Sequence, residues 1–209
     1  MHDAAAGLIA ELIEVGRSAV VRGLVVASGG NLSARLPGRD AFLITASGTW
    51  FDRLAPADFA VLDLDGNVVD GNPRPSVEWR LHQRTYRARP DVNAVVHVHP
   101  QTAVVLDALG HRVRLLTSDH AFYLRRVERV PFLRIGSDEL ADAAAVAAAD
   151  CDVIILAHHG CSTLGDTVEM AYRRALNLEE AAANTFRCLQ LGDLDTTFPE
   201  DAYADIHHG

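Results

Sequence analysis

The sequence is short of cysteine, of positive charge and of long apolar runs, and each shortage excludes something. Only three of 209 residues are cysteine. Cys151, Cys161 and Cys188 form no CxxC pair and cannot all bond to one another, so a disulfide scaffold is excluded and a reducing, cytoplasmic setting is expected. Lys and Arg number 19 against 28 Asp and Glu, a formal net charge of −9. With no long basic run, the chain lacks the footprint that a nucleic-acid backbone needs. A small anionic substrate is not excluded, because backbone N–H groups and a metal can hold an anion without net positive charge. No stretch approaches 18 uninterrupted apolar residues, so no membrane span is expected. Residues 1–10 carry no basic region ahead of an apolar one, unlike a signal peptide. His207 and His208 read as a frayed tail.

What is present fits one globular unit. The 49% hydrophobic and 22% charged content is ordinary for a soluble domain. The length suits a single domain over 1–209, with the residues from about 192 loosely ordered. The chain is organised around Asn93-Ala94-Val95-Val96-His97-Val98-His99-Pro100. Its β-branched apolar residues predict a buried strand that Pro100 closes. In a strand, residues two apart share a face. His97 and His99 therefore point the same way, with Cβ atoms roughly 6.5–7 Å apart. Two imidazoles so placed can converge on one cation at about 2.0–2.1 Å each.

Taken in order, residues 3 to about 22 predict an amphipathic helix, with Asp3 as its cap and Gly23 as its stop. Two loops flank short strands: Ser28-Gly29-Gly30-Asn31 precedes a strand at Leu32–Ala34, and Ala46-Ser47-Gly48-Thr49 follows one at Ala41–Thr45. Their glycine and hydroxyl content permits close backbone approach to a ligand. Neither is a GxxxxGK[ST] loop and there is no GxGxxG, so a nucleotide is not the expected ligand. Residues 59–69 predict a hairpin about Asp65-Gly66-Asn67. Ser76 is expected to cap a helix to about Ala88, with Glu78 in its first turn and His82 as a surface or packing residue. A helix over 102–109, a strand over 111–116, a polar loop over 117–120 and a strand over 130–135 come next. Then follow an Ala-rich helix capped by Ser137, a strand over 152–157, a turn at 164–166 and a last helix over about 167–191. The strand over 152–157 ends in His158-His159-Gly160, the place to look for a third ligand. Short strands, hairpins and long helices together predict an α/β (α+β) three-layer sandwich, with a mostly antiparallel sheet between helical layers.

The ordered set Gly-Gly-Asn-Leu-Ser, Thr-Ala-Ser-Gly, Pro-Ser-Val-Glu-Trp-Arg-Leu-His, Ala-Val-Val-His-Val-His and His-His-Gly resembles the class II aldolase/adducin family over about residues 7–190. Within the family it looks most like the aldolase branch that acts on sugar phosphates such as L-fuculose 1-phosphate. The resemblance implies a central, largely antiparallel sheet between helices and a homotetramer. It implies a catalytic divalent metal, usually Zn2+, with Mn2+ or Co2+ as other options, held by His97, His99 and, of the second pair, His159. It makes Glu78 the acid/base. It puts Gly30, Asn31, Ser47, Gly48 and Ser76 where the substrate phosphate is held. The implied reaction is reversible cleavage of a phosphorylated ketose to dihydroxyacetone phosphate and an aldehyde through a metal-stabilised enediolate. Three histidines leave a cation with open positions, as that chemistry needs.

The chain also departs from the pattern. Val77 stands where this branch often has a second serine, which removes one hydroxyl from the phosphate site. Tyr123 is the candidate proton donor for the nascent alkoxide. Phe122 occupies the place of an acidic residue in the 4-epimerase branch, which weighs against epimerisation. Decarboxylation or 4-epimerisation at the same metal site is the alternative reaction. A non-catalytic, adducin-like interaction domain has no need to keep Glu78 and all three histidines.

Overall fold

The computed structural model describes residues 3–206. The His207–His208 tail lies outside them, as does the side chain of Asp3. A long first helix, α1 (Asp3–Val21), leads into β1 (Asn31–Arg35), β2 (Ala41–Thr45), β3 (Phe59–Asp63) and β4 (Val68–Gly71). Then come α2 (Trp79–Ala88), β5 (Ala94–Val98), α3 (Gln101–Ala108), α4 (Ser118–Leu124), β6 (Glu128–Val130) and α5 (Asp138–Ala148). The chain continues through β7 (Val153–Leu156), β8 (Gly160–Gly165), α6 (Val168–Gln190) and the short α7 (Tyr203–Ile206). The strands form one eight-stranded sheet in the order β4-β3-β2-β1-β5-β8-β7-β6. Every pairing is antiparallel except β6 with β7. The expected three-layer, mostly antiparallel architecture is therefore the one observed. No helix among the described residues is long and apolar enough to cross a membrane.

Side-chain alternation sorts the strands into two cores. Leu32, Leu43, Val96, Val98 and Ile155 pack on one face with Leu12 of α1, Leu106 of α3 and Leu178 of α6. Phe42, Ile44, Val95, Ile154 and Leu164 pack on the other with Leu81 and Tyr86 of α2 and with Leu140 and Ala144 of α5. The same alternation puts Asn31, Ser33 and His97 on the α2 side. The register sets Asn31 opposite His97, and His97 opposite Ser162. A polar row thus crosses three central strands within an otherwise apolar face. At the far edge, β4 is exposed along its length, and its pairing with β3 shifts register between Val61 and Leu62.

Four local expectations are corrected. Residues 111–116 form no strand: Arg114 N donates to Thr185 Oγ1 of α6 at 2.9 Å and Leu115 O accepts from Phe198 N at 2.7 Å, so their backbone is satisfied away from the sheet. The expected loop at 117–120 opens α4 instead, because Thr117 caps it by accepting from His120 N. The strand expected over 130–135 lies earlier, at Glu128–Val130. The turn expected at 164–166 is in part strand, because Leu164 and Gly165 end β8, which pairs on both sides. Ser137 caps α5 as expected, and Thr167, expected as the first residue of the last helix, caps α6.

Glycine is needed where β8 meets α6. A Cβ on Gly165 would lie 2.5 Å from Ala171 N and 2.6 Å from Thr167 O, both backbone atoms. A Cβ on the helical Gly7 would meet nothing within 4 Å. Gly165→Ala is expected to lower the unfolding free energy by about 1–3 kcal/mol through overpacking. Gly7→Ala is expected to raise it by about 0.5–1 kcal/mol, since alanine is the better helix former. Urea unfolding of the two variants reads both signs.

Candidate metal centre

The site is built where β5 ends and the β7–β8 hairpin turns. His97 is the fourth residue of β5, fully buried, and His99 follows just past the strand end. His159 sits in the tight turn between β7 and β8, beside His158 in the left-handed region at φ 57°. A turn this tight takes the backbone back immediately and leaves His159 facing the β5 histidines. Gly160 makes the approach possible, because a Cβ there would lie 2.5 Å from both His99 Cδ2 and Val98 O. Gly30, at φ +80°, does the same from the β1 side, where a Cβ would lie 2.5 Å from His97 O.

The three rings converge. One ligand atom from each of His97, His99 and His159 lies within 4.8 Å of the others, close enough for all three to hold one metal ion. His97 Nε2 and His99 Nε2 are 3.2 Å apart. His97 Nδ1 donates to Cys161 O at 2.8 Å, which turns Nε2 inward, where it can ligate once it has given up its proton. The donor set, three imidazoles with one ring fixed by an outer hydrogen bond, fits a divalent transition metal with coordination positions left open.

Glu78 closes the cluster. It occupies the position before α2 rather than the first turn, and its side chain does not cap the helix. The carboxylate is buried and turned to the rings. Its Oε2 lies 3.1 Å from His97 Nε2 and its Oε1 3.5 Å from His159 Nε2. Oε2 also accepts from Asn31 Nδ2 at 2.9 Å, while Oε1 has no hydrogen-bond partner. Burial alone would raise the Glu78 pKa, but His97 and His159 outweigh it and hold the group well below the usual carboxylate range. Burial works against charging His97, yet the neighbouring carboxylate raises its pKa. Burial and the charge on His97 push His99 down to about 3 and His159 to about 4. The cluster thus holds one carboxylate and one position of positive charge, which a proton or a cation can fill.

The other expected site residues are placed as follows. Ser76 is buried and does not cap α2, which begins at Trp79; its Oγ accepts from Glu78 N at 3.3 Å. Ser47 and Gly48 lie exposed in the loop after β2, and Ser47 N donates to Arg74 O at 2.9 Å. The Asn31 side chain is engaged at both ends, by Glu78 and by His82. Tyr123 is not brought to the cluster. Its hydroxyl accepts from Arg173 Nη1 at 2.8 Å between α4 and α6, and no hydrogen bond joins it to Glu78 or the histidines among the described residues. His82, read from sequence as a surface or packing residue, is fully buried and hydrogen-bonded beneath the site. The signal for it was the spacing of Glu78, His82 and Tyr86, which falls on one face of a helix.

Comparison with known proteins places this geometry. The family model described as "Class II Aldolase and Adducin N-terminal domain" matches residues 10–186. The chain belongs to that family. It is 36% identical over 175 residues to the L-fuculose phosphate aldolase of Methanocaldococcus jannaschii, covering 84% of this chain and 93% of that one. It is 30% identical over 176 residues to the 3-oxo-tetronate 4-phosphate decarboxylase of Haemophilus influenzae, covering 82% and 83%. The solved structure of the L-fuculose-1-phosphate aldolase from Thermus thermophilus superposes with a TM-score of 0.78 at 31% identity, over 91% of this chain and 99% of that one. The family is a lyase family that works with a metal, and the three-histidine cluster could hold one.

His97→Ala and His159→Ala are each expected to lose the stoichiometric cation that the wild-type protein takes up, read by elemental analysis after dialysis. The pKa directions also fix how affinity varies with pH. His97, raised, must lose its proton before it can ligate, whereas His99 and His159 are already neutral well above their values near 3 and 4. Affinity is therefore expected to be full above the His97 pKa and to fall by about tenfold per pH unit below it, one proton released per cation bound. A slope near three would mean that burial and the charge on His97 do not keep His99 and His159 neutral.

Proposed function

We propose that this chain is a metal-dependent aldolase that reversibly cleaves a ketose 1-phosphate, such as L-fuculose 1-phosphate, into dihydroxyacetone phosphate and an aldehyde. The observation that carries the reading is Glu78. A carboxylate is buried between two of three converging histidines, one oxygen held by Asn31 and the other without a partner. A divalent cation held by His97, His99 and His159 supplies Lewis-acid polarisation of the substrate carbonyl, which weakens the adjacent C–H and C–C bonds.

Glu78 does the proton work in this proposal. In the condensation direction its Oε1 takes a proton from the carbon beside the carbonyl. The electron pair left there forms the new bond to the aldehyde carbon, and the aldehyde oxygen gains a proton. Cleavage is the reverse, with Glu78 returning the proton to that carbon. Its lowered pKa keeps it ionised and ready as a base at neutral pH. Ser76, which accepts from Glu78 N, keeps its own hydroxyl hydrogen to donate to a phosphate oxygen. Gly30, Asn31, Ser47 and Gly48 complete the phosphate site in this reading, fixing the reacting end by holding the remote one. Tyr123 is held by Arg173 on the α4–α6 side, so a part as acid to the nascent alkoxide requires it to come from a neighbouring subunit of a homotetramer. Zinc is the cation that suits three imidazoles, and three unpaired thiols suit the cytoplasm.

The similarity to a 3-oxo-tetronate 4-phosphate decarboxylase favours one second reading. Loss of carbon dioxide from a 3-oxo acid leaves the same electron pair beside the same carbonyl. The deciding experiment is a panel of ketose 1-phosphates, including L-fuculose 1-phosphate, incubated with zinc-loaded protein. Dihydroxyacetone phosphate is expected to appear, to stop with a chelator and to return with zinc. No release from any sugar, with metal bound, together with carbon dioxide from a 3-oxo-4-phospho acid, would replace the aldolase by the decarboxylase. In either case Glu78→Gln is expected to keep the metal and to slow turnover by about 10²–10⁴-fold. Undiminished turnover in that variant removes Glu78 from the proton transfer.

A further inference from the structure

Beneath Glu78 runs a line of buried polar groups of which only Asn31 has a part above. Asn31 Oδ1 is hydrogen-bonded to His82 Nε2, His82 Nδ1 lies 2.6 Å from Ser33 Oγ, and Ser33 Oγ lies 2.6 Å from Tyr86 Oη. Asn31 is 2% exposed, Ser33 and His82 0% and Tyr86 1%, so no bulk water can exchange for these partners. His82 and Tyr86 stand one turn apart on α2, and Asn31 and Ser33 two residues apart on β1, so each element offers one face to the other.

The direction of every hydrogen in the line follows from its end. Glu78 as a carboxylate only accepts, so the Asn31 atom 2.9 Å from Oε2 is the Nδ2 donor. The amide oxygen then faces His82 Nε2, which must carry the ring hydrogen. A neutral imidazole has one N–H, so Nδ1 accepts from the Ser33 hydroxyl, and Ser33 in turn accepts from Tyr86. The opposite tautomer would bring the bare Nε2 against the amide oxygen. To relieve that contact the amide would have to reverse and present its oxygen to the carboxylate. Burial and the nearby His97 push the His82 pKa down to about 3, so the ring stays neutral where the enzyme works.

We propose that His82 is a positioning residue for the reaction: its Nε2–H sets the sense of the Asn31 amide, which binds Glu78 Oε2 and leaves Oε1 as the oxygen that meets the substrate proton. The proposal rests on the reading of Glu78 as the base. Among the described residues the hydrogen bonds of His82 run to Asn31 and Ser33 and to none of the three site histidines, so it acts through Asn31.

Two kinds of measurement test it. In protein labelled with 15N at histidine, His82 is expected to show a protonated Nε2 and a bare Nδ1; the reverse tautomer or a charged ring overturns the proposal without any assay. In kinetics, His82→Phe is expected to keep one cation per chain and a similar KM while kcat falls roughly 10–100-fold, as for a misplaced base. His82→Gln, whose amide can place an N–H near the Nε2 position, should recover most of that loss. In an Asn31→Ala background, adding His82→Phe should cost nothing further. Multiplying effects in that pair, or a Gln variant as slow as the Phe one at equal thermal stability, overturn the proposal. If His82→Phe does not fold, the tautomer and the Gln variant still decide. Absence of turnover on any ketose phosphate, with the expected tautomer present, sinks the aldolase reading and not the hydrogen-bonded line. Normal kcat in His82→Phe does the opposite.

Discussion

A carboxylate held out of water among three imidazoles is the constraint to which the rest of this molecule answers. Removing an ionised carboxyl group from water costs several kcal/mol unless positive charge and hydrogen bonds replace the solvent. Here the replacements come from three separated stretches of chain: His97 in β5, His159 in the hairpin turn and Asn31 at the start of β1. None of these is local in sequence. The group is therefore correctly solvated only when the central strands are paired in register, so the folded sheet and the ionised site imply each other.

The sheet's two faces divide the labour. The face toward α1, α3 and α6 is mostly apolar, with Thr163 bonded to α6, and carries the larger core. The face toward α2 and α5 is apolar at both flanks but polar in the middle, where Asn31, His97 and Ser162 line up across β1, β5 and β8. Buried polar groups are costly when half satisfied and rigid when fully satisfied. Most atoms of this row have a partner. The exceptions beside the cluster are Glu78 Oε1, His159 Nδ1 and Ser162 Oγ. Unmet capacity is thus concentrated where chemistry is proposed, and the atoms behind it are tied down.

Much of this was legible in the sequence, for reasons that also explain what was not. The His-Val-His strand, the Gly/Asn hairpin and the helix capped by Ser137 follow from local rules of alternation and capping, and they appear where those rules put them. The strand Gly160–Gly165 was hidden because its composition is that of a turn. Its glycines serve close approach instead, Gly160 to the β5 histidines and Gly165 to the start of α6. Residues 111–116 looked like a strand from local composition alone; their partners are a helix side chain and a later segment, which no local pattern encodes. His82 illustrates the converse. A histidine one turn into a helix carries no label of burial, and only the meeting of α2 with β1 gives it one. Glycines before strands and histidine pairs after them mark where a site can form, whereas the direction of each hydrogen bond within it is a property of the assembled layers.

The outer edge of the sheet bears on how copies of this chain can meet. The β4 strand is four residues long and exposed, and it ends at Gly71 in the left-handed region, with Asp70 just before it. The register shift opposite it, between Val61 and Leu62, interrupts the regular spacing of free backbone groups that a ninth strand would need. Strand addition there would also set an incoming chain against the Asp70 carboxylate. The sheet is closed to growth on that side.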